Sequence, residues 1–346
     1  MSKKYFNNYF NNYFRIEKKT VGGKGSNVYI IAEAGSNHNN NIDQAKKLID
    51  IAAESGADAV KFQLFKAKDL IKNKDKKIVK YLQKFEFNRR WLKELIQYSK
   101  KKKITFLASP FDKKAVDLLV DLGVSAIKIA SSENLNKELT FYAAKTNLPL
   151  IISTGMSNFS DIYETLEIVK QSGNKNIALL QCTSIYPCKP EDLNLNVIST
   201  FCNLYKFPIG FSDHSLGITA PLIAFAKGAR IIEKHFTSDK KLEGPDHFYS
   251  LDKIELTKMV SELRIAEKVL GSSTKDLLKE EYLKCRVEGI YASRDIKKNS
   301  QLSIKDIFIT TPRIGVGKRY KDLVVKLKSL KNIKKGSAIK WEDLKS

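Results

Sequence analysis

Four histidines occur in the 346 residues, His38, His214, His235 and His247, and each falls in a predicted loop or at the end of a predicted strand. His214 and His235 end neighbouring strands, so their imidazoles can converge. Two neutral imidazoles completed by oxygen ligands suit a divalent metal such as Mn2+, Zn2+ or Co2+. A hydrogen-bonded, metal-free histidine is the competing reading. Two lysines, Lys61 and Lys128, lie inside the short apolar runs AVKFQ and AIKIA. A buried ammonium is costly without a partner, and a phosphate, a substrate carboxylate or a barrel glutamate would supply one. Further polar groups collect at or just after the ends of such runs: Glu33, Gln63, Ser109, Ser131, Glu133, Ser153, Ser184, Tyr186 and Ser212. Together they describe a site for an anionic, phosphorylated substrate with Lewis-acid and acid–base assistance.

These groups need a scaffold that brings strand ends together. From Val28 onward, short apolar runs alternate with amphipathic, Lys-rich segments, the pattern of βαβ units around a parallel sheet. The runs are 28–32, 59–63, 104–108, 126–130, 149–153, 177–181, 208–212 and 230–234. Helices are predicted over 42–54, 91–101, 113–122, 137–146, 161–171, 193–205, 218–227 and 253–270. Eight strands with eight helices is the count of a closed (β/α)8 TIM barrel, an α/β fold whose active sites gather at the C-terminal ends of the strands. The segment after the first run, EAGSNHNN, is not a dinucleotide-binding loop.

Outside the barrel region, 27–270, the pattern changes. Residues 5–14 read YFNNYFNNYF, a low-complexity repeat without aliphatic residues, so 1–26 is expected to be a mobile tail. A linker is expected over 271–285. Within the small domain expected over 286–346, DIKKNSQLSIKDI (295–307) and NIKKGSAIKWEDL (332–344) align without a gap, which predicts two similar units packed with pseudo-symmetry.

Composition excludes several classes. The net charge of +23 comes almost entirely from lysines scattered over every predicted helix, with no aromatic–basic platform and no nucleic-acid motif, so no nucleic-acid partner is expected. A positive surface would instead concentrate anionic substrates. No apolar run approaches the roughly 20 residues of a membrane helix. The N-terminus has no apolar signal region, and Cys182, Cys188, Cys202 and Cys285 form no C-x-x-C pair. A cytoplasmic protein with reduced thiols is expected.

The stretches IAEAGSNHNNNIDQAKKLIDIAAESGADAVKFQ, ASPFD, IKIASSE, ISTGM, LLQCTSIYP, IGFSDHSLG, IIEKHFT and EGPDH resemble the sialic acid synthase family, and the repeat domain is similar to its C-terminal antifreeze-like SAF (β-clip) domain. The resemblance implies condensation of phosphoenolpyruvate with an N-acetylated amino sugar, N-acetylmannosamine in the first instance, to give a nine-carbon 2-keto acid and phosphate. Legionaminic or pseudaminic acid synthesis is the nearest alternative. Another phosphoenolpyruvate-dependent 3-deoxy-keto acid synthase, or a non-catalytic carbohydrate-binding homologue, is more distant. It places Lys61, Ser109, Lys128, Ser131, Ser153, Ser184 and Ser212 around phosphoenolpyruvate, and Gln63, Phe111, Tyr186 and Asp246 around the sugar. Glu33, Glu133, Lys61 and Lys128 become catalytic, with the two carboxylates not separable in role. His214 and His235 become ligands of a divalent metal, Mn2+ first, with Mg2+ or Co2+ as alternatives. It also implies a homodimer in which the SAF domain reaches the neighbour's site. There the sequence departs from the family: Thr311 takes the usual Arg position, and Arg313 follows the proline. Arg313, Lys318 or Arg319 would have to reach the sugar instead. Ser184 stands where many members have Asn.

Overall fold

In the computed structural model, which describes residues 4–23, 25–70 and 76–346, the chain forms two compact units, Met1–Gly271 and Ser272–Ser346. In the first, a short helical turn, Lys4–Asn7, leads into a hairpin, β1 (Tyr13–Ile16) antiparallel to β2 (Lys19–Gly22). Eight parallel strands follow: β3 (Tyr29–Gly35), β4 (Ala59–Leu64), β5 (Thr105–Pro110), β6 (Ile127–Ile129), β7 (Leu150–Ser153), β8 (Ile177–Cys182), β9 (Ile209–Asp213) and β10 (Ile231–His235). Their order, β5-β4-β3-β10-β9-β8-β7-β6, rolls the sheet into a near-closed barrel. The end strands β5 and β6 lie against each other, and among the described residues no hydrogen-bonded ladder joins them.

Eight helices wrap the sheet: α1 (Ile42–Glu54), α2 (Leu92–Lys101), α3 (Lys113–Asp121), α4 (Lys137–Ala144), α5 (Phe159–Ser172), α6 (Asn196–Leu204), α7 (Thr219–Ala226) and α8 (Lys253–Leu270). Local chemistry sets their starts. Asn41 accepts from the Asp43 and Gln44 amides at α1, and Asp112 from Ala115 at α3. Capping boxes Asn158/Asp161 and Asp252/Glu255 start α5 and α8. The Asn158 box explains why α5 begins at Phe159, two residues before its expected start.

Side chains alternate along each strand, and the alternation splits the interior in two. One parity packs against the helices in the main apolar core. The other points into the barrel. There Tyr29, Ile31, Ala59, Leu107, Ala126, Ile151, Ala178, Leu180 and Ile231 fill the lower part. The next inward position on each strand is polar: Glu33, Lys61, Ser109, Lys128, Ser153, Cys182, Ser212 and Glu233, all buried.

The N-terminal segment is not the mobile tail that its composition suggests. Phe14, Ile16 and Val21 join the lower barrel layer and close its floor. Phe6 packs on Tyr163 and Phe10 on Phe207, with ring centroids 5.1 and 5.4 Å apart. The four-residue spacing of the phenylalanines delivers three buried rings, so aromatic side chains supply the area that aliphatic ones would otherwise provide. Asp58 latches the hairpin down. It pairs with Lys19, with Arg264 at 2.8 Å, and accepts from the Ile30 amide at 2.7 Å.

In the second unit, β11 (Gly289–Ala292) pairs with β12 (Ile307–Thr310), and β13 (Lys328–Ser329) with β14 (Leu344–Lys345). The two repeats face each other reciprocally. The Lys298 amide donates to Asn332 and the Lys335 amide to Asp295, at 2.8 and 2.7 Å. Asp306 and Asp343 each cap a matching 3-10 turn. The expected linker, 271–285, falls almost wholly within this unit and carries a short helix, Lys279–Lys284.

Removing the Phe14 ring should cost about 3 kcal/mol, the usual penalty for a buried Phe→Ala change. Urea denaturation of Phe14→Ala measures it, and an unchanged midpoint would show that the hairpin does not seal the floor.

Candidate functional site

Above the apolar layer, four charged side chains form a buried chain of contacts. Lys61 Nζ lies 2.7 Å from Glu33 Oε2 and 3.6 Å from Glu233 Oε1, and Lys128 Nζ lies 3.6 Å from the same Glu233 oxygen. Hydroxyl groups surround the ammoniums. Ser109 Oγ is 3.3 Å from Lys61 Nζ, Ser153 Oγ is 2.6 Å from Lys128 Nζ, and Ser212 donates to Glu233 at 3.0 Å. Gln63 donates to Glu33 at 2.7 Å. All four charged residues are at most 4% exposed. Two ammoniums and two carboxylates balance, which is what makes their burial tolerable.

Burial and neighbours tune these groups. Burial would push the Glu233 carboxyl up, but Lys128 and Lys61 outweigh it and hold it at about 2. Burial raises Glu33 above the ordinary carboxylate value, against the pull of Lys61. Burial would pull Lys61 down, yet Glu233 and Glu33 hold it up. Lys128 is lowered by burial, with Glu233 opposing and Lys61 reinforcing. Glu33 is thus the carboxylate whose proton is most easily retained.

The histidines stand beside this cluster. His214 and His235 have ring centroids 5.5 Å apart, and the Tyr186 ring lies 4.0 Å from that of His214. His214 Nδ1 faces the Thr183 carbonyl at 2.8 Å. A carbonyl only accepts, so Nδ1 carries a proton and Nε2 is the nitrogen left for another partner. Burial works against a charged ring, but Cys182, the Thr183 carbonyl and Asp213 outweigh it and hold His214 above the ordinary imidazole value. Burial pushes His235 down to about 3, leaving a neutral ring. Its Nδ1 is buried with no hydrogen-bond partner among the described residues, 4.0 Å from Asp246 Oδ2. Asp246 accepts from Ser36 and Tyr249, each at 2.8 Å. Gly35 lets these groups crowd together. Its φ is +51°, and a Cβ there would sit 3.0 Å from Asp246 Oδ2 and 3.2 Å from His235 Cε1. Two imidazoles side by side, that of His235 neutral and with an orphaned nitrogen, fit a divalent cation. Among the described residues no group of three His, Cys, Asp or Glu side chains converges on one such point, so remaining ligands would come from water or substrate.

A polar cradle forms beside Cys182, whose sulfur lies 3.4 Å from Ser131 Oγ. Ser131 Oγ accepts from the Gly155 amide at 3.1 Å, and Ser184 Oγ is buried without a hydrogen-bond partner among the described residues. A Cβ on Gly155 would lie 2.3 Å from Ser184 Oγ and 2.7 Å from Ser131 Oγ. The hydroxyls and the Gly155 backbone therefore close on one small volume, the geometry of an oxyanion cradle.

Some expected site residues lie apart. Glu133 hydrogen-bonds Asn136 at 2.9 Å, and with Phe111 it lines a cavity of about 670 Å3 whose walls include Asp69 and Leu70 but none of the four charged residues. The two glutamates that sequence left interchangeable are thereby separated: Glu33 belongs to the charged cluster and Glu133 to the rim. Arg313 lies in the second unit, its side chain against Gly289 and Gly317. The other two histidines serve the loops. His38 packs edge-on to Phe87 and accepts from the Asn40 amide, and His247 bonds Thr237 and Asn39.

Two residues were passed over. Glu233 received no role from sequence, yet it bridges both lysines. Cys182 was read as an ordinary core thiol, yet its sulfur is 3.4 Å from Ser131 Oγ and 3.8 Å from His214 Nδ1. Parity could have found both: Glu233 is two residues before His235, and Cys182 two residues after inward-facing Leu180. All four cysteines are free, and no helix among the described residues is long and apolar enough to cross a membrane.

The chain matches the NeuB family model over residues 48–275 and the SAF domain model over 287–345. It is similar to N,N'-diacetyllegionaminic acid synthase of Campylobacter jejuni, at 40% identity over 329 residues, 90% of this chain and 98% of that one. It is 39% identical over 271 residues to N-acetylneuraminate-9-phosphate synthase of Mus musculus, covering 75% of each. Among solved structures it resembles the N-acetylneuraminic acid synthetase of Leptospira borgpetersenii in complex with citrate, with a TM-score of 0.74 and 38% identity over 78% of this chain and 93% of that one.

Glu233→Gln should lower stability by about 3 kcal/mol, because it leaves two buried ammoniums facing one carboxylate. Added inorganic phosphate should restore part of the loss by binding them. Urea titration with and without phosphate reads both effects; equal stability of variant and wild type would remove Glu233 from the balance.

Proposed function

This chain belongs to the NeuB family, and from that membership and the geometry of its barrel mouth we propose that it condenses phosphoenolpyruvate with an N-acetylated amino sugar to give a nine-carbon 2-keto acid and phosphate. One observation carries the reading. Lys61 and Lys128 are buried among serine hydroxyls at the end of the barrel where such folds build active sites.

Lys61 and Lys128 would bind the phosphate and carboxylate, with Ser109, Ser131, Ser153, Ser184 and Ser212 completing the oxygen contacts. In a dry site, fixed charges of this kind are worth far more than in water. The enol carbon then bonds to the aldehyde carbon of the open-chain sugar, water adds to the donor's C2, and cleavage of the C–O bond there releases phosphate. Glu33, with its raised affinity for a proton, would take the proton from that water. Gln63, Tyr186 and Asp246 would position the sugar, with Phe111 and Glu133 at the rim. A divalent cation held by His214 and His235, Mn2+ in the first instance, would polarise the aldehyde oxygen. A second copy of the chain, supplying Arg313 to the sugar, belongs to the same proposal.

N-acetylmannosamine is the first acceptor to try. A 2,4-diacetamido sugar of the legionaminic type is the second, favoured by the similarity to the Campylobacter synthase across both units of the chain.

Purified protein supplied with phosphoenolpyruvate, Mn2+ and each acceptor should release phosphate with one of them. No release with any nonulosonic acid precursor would refute the proposal. His214→Ala should stay folded while losing Mn2+ binding and nearly all turnover; unchanged activity would remove the histidine from the metal site.

A further inference from the structure

A second buried ion pair lies on the other face of the same two strands. Lys234 Nζ and Asp213 Oδ2 are 2.6 Å apart, and both residues are 1% exposed. They are direct cross-strand neighbours in the parallel ladder of β9 and β10. Alternation puts them on the face opposite Ser212, Glu233 and His235, so they touch neither the sugar site nor the anion cluster. Each is adjacent in sequence to one imidazole: Asp213 precedes His214, and Lys234 precedes His235.

The pair also fixes the turn that carries His214. Asp213 Oδ1 accepts from the Ser215 amide at 2.8 Å and from its hydroxyl at 2.7 Å, while Lys234 donates to the Ser215 carbonyl. The His214 carbonyl accepts from Cys188 at 2.9 Å. The backbone on both sides of His214 is therefore tied to β10, the strand that carries His235.

Resting on the reading of these histidines as metal ligands, we propose that Asp213 and Lys234 are positioning residues: their ion pair sets the separation of His214 and His235, and thereby the affinity of the site for a divalent cation.

The test compares wild type with Asp213→Asn/Lys234→Met, a double variant that leaves no unpaired buried charge, and with Lys234→Arg, which keeps the pair. Mn2+ binding is read by calorimetry and by the electron paramagnetic resonance line shape of bound Mn2+. Inorganic phosphate binding reports the separate anion cluster, and thermal melting reports folding. The double variant should bind Mn2+ about 10- to 100-fold more weakly, as lost support of a metal ligand does, with phosphate affinity unchanged. Lys234→Arg should recover most of the Mn2+ affinity. Mn2+ affinity within twofold of wild type in the double variant overturns the proposal, as does an equal loss of Mn2+ and phosphate binding, which marks a general loosening of the mouth. If wild type and His214→Ala bind Mn2+ equally poorly, the metal reading itself fails; if wild type binds it and the double variant does too, only the clamp fails.

Discussion

Everything at the mouth of this barrel follows from the burial of two ammonium groups. Lys61 and Lys128 sit where other barrels pack branched apolar side chains, and each is 2% exposed. Water cannot solvate them there, so the protein must. Glu33 and Glu233 balance the charge, and Ser109, Ser153 and the Ile129 carbonyl take up donors. A neutral, pre-ordered cluster of this kind changes little when charge moves within it, the condition under which fixed dipoles and charges stabilise a reacting anion.

That cluster depends on a firm floor. Below it lies a layer of apolar side chains from the strands, closed by Phe14, Ile16 and Val21 of the N-terminal hairpin. The Asp58 latch holds the hairpin against the strands. Water entering from below would raise the local dielectric and weaken each contact above. The aromatic repeat at the N-terminus is in this sense part of the site's insulation, although it lies at the opposite end of the barrel.

The fold was legible because strands and helices carry different periods, and the eight apolar runs all became strands. The site was legible in kind because the polar residues follow those runs in register. What sequence missed had specific physical reasons. Glu233 stands beside Lys234 and His235 in IIEKH, and only the alternation of side chains says which two of the three enter the barrel. The tail was misjudged because low complexity usually signals too little apolar area to order a segment, whereas here phenylalanines four residues apart supply it. Glu33 and Glu133 could not be told apart until their burial and partners were known: one is fully buried beside Lys61, the other bonded to Asn136 at the rim.

Similarity to synthases of related sugar acids bounds the chemistry more tightly than the acceptor. The lysine–glutamate cluster proposed to bind the donor is made entirely within the first unit. The central claim is that the lysine cluster is where the substrate anion binds. A crystal structure with bound phosphoenolpyruvate tests this most directly: the account places phosphate oxygens within hydrogen-bond distance of Lys128 Nζ and the Ser131–Gly155–Ser184 cradle. Ligand density confined to the Phe111–Glu133 cavity, with both lysines still held by their glutamates alone, would contradict it.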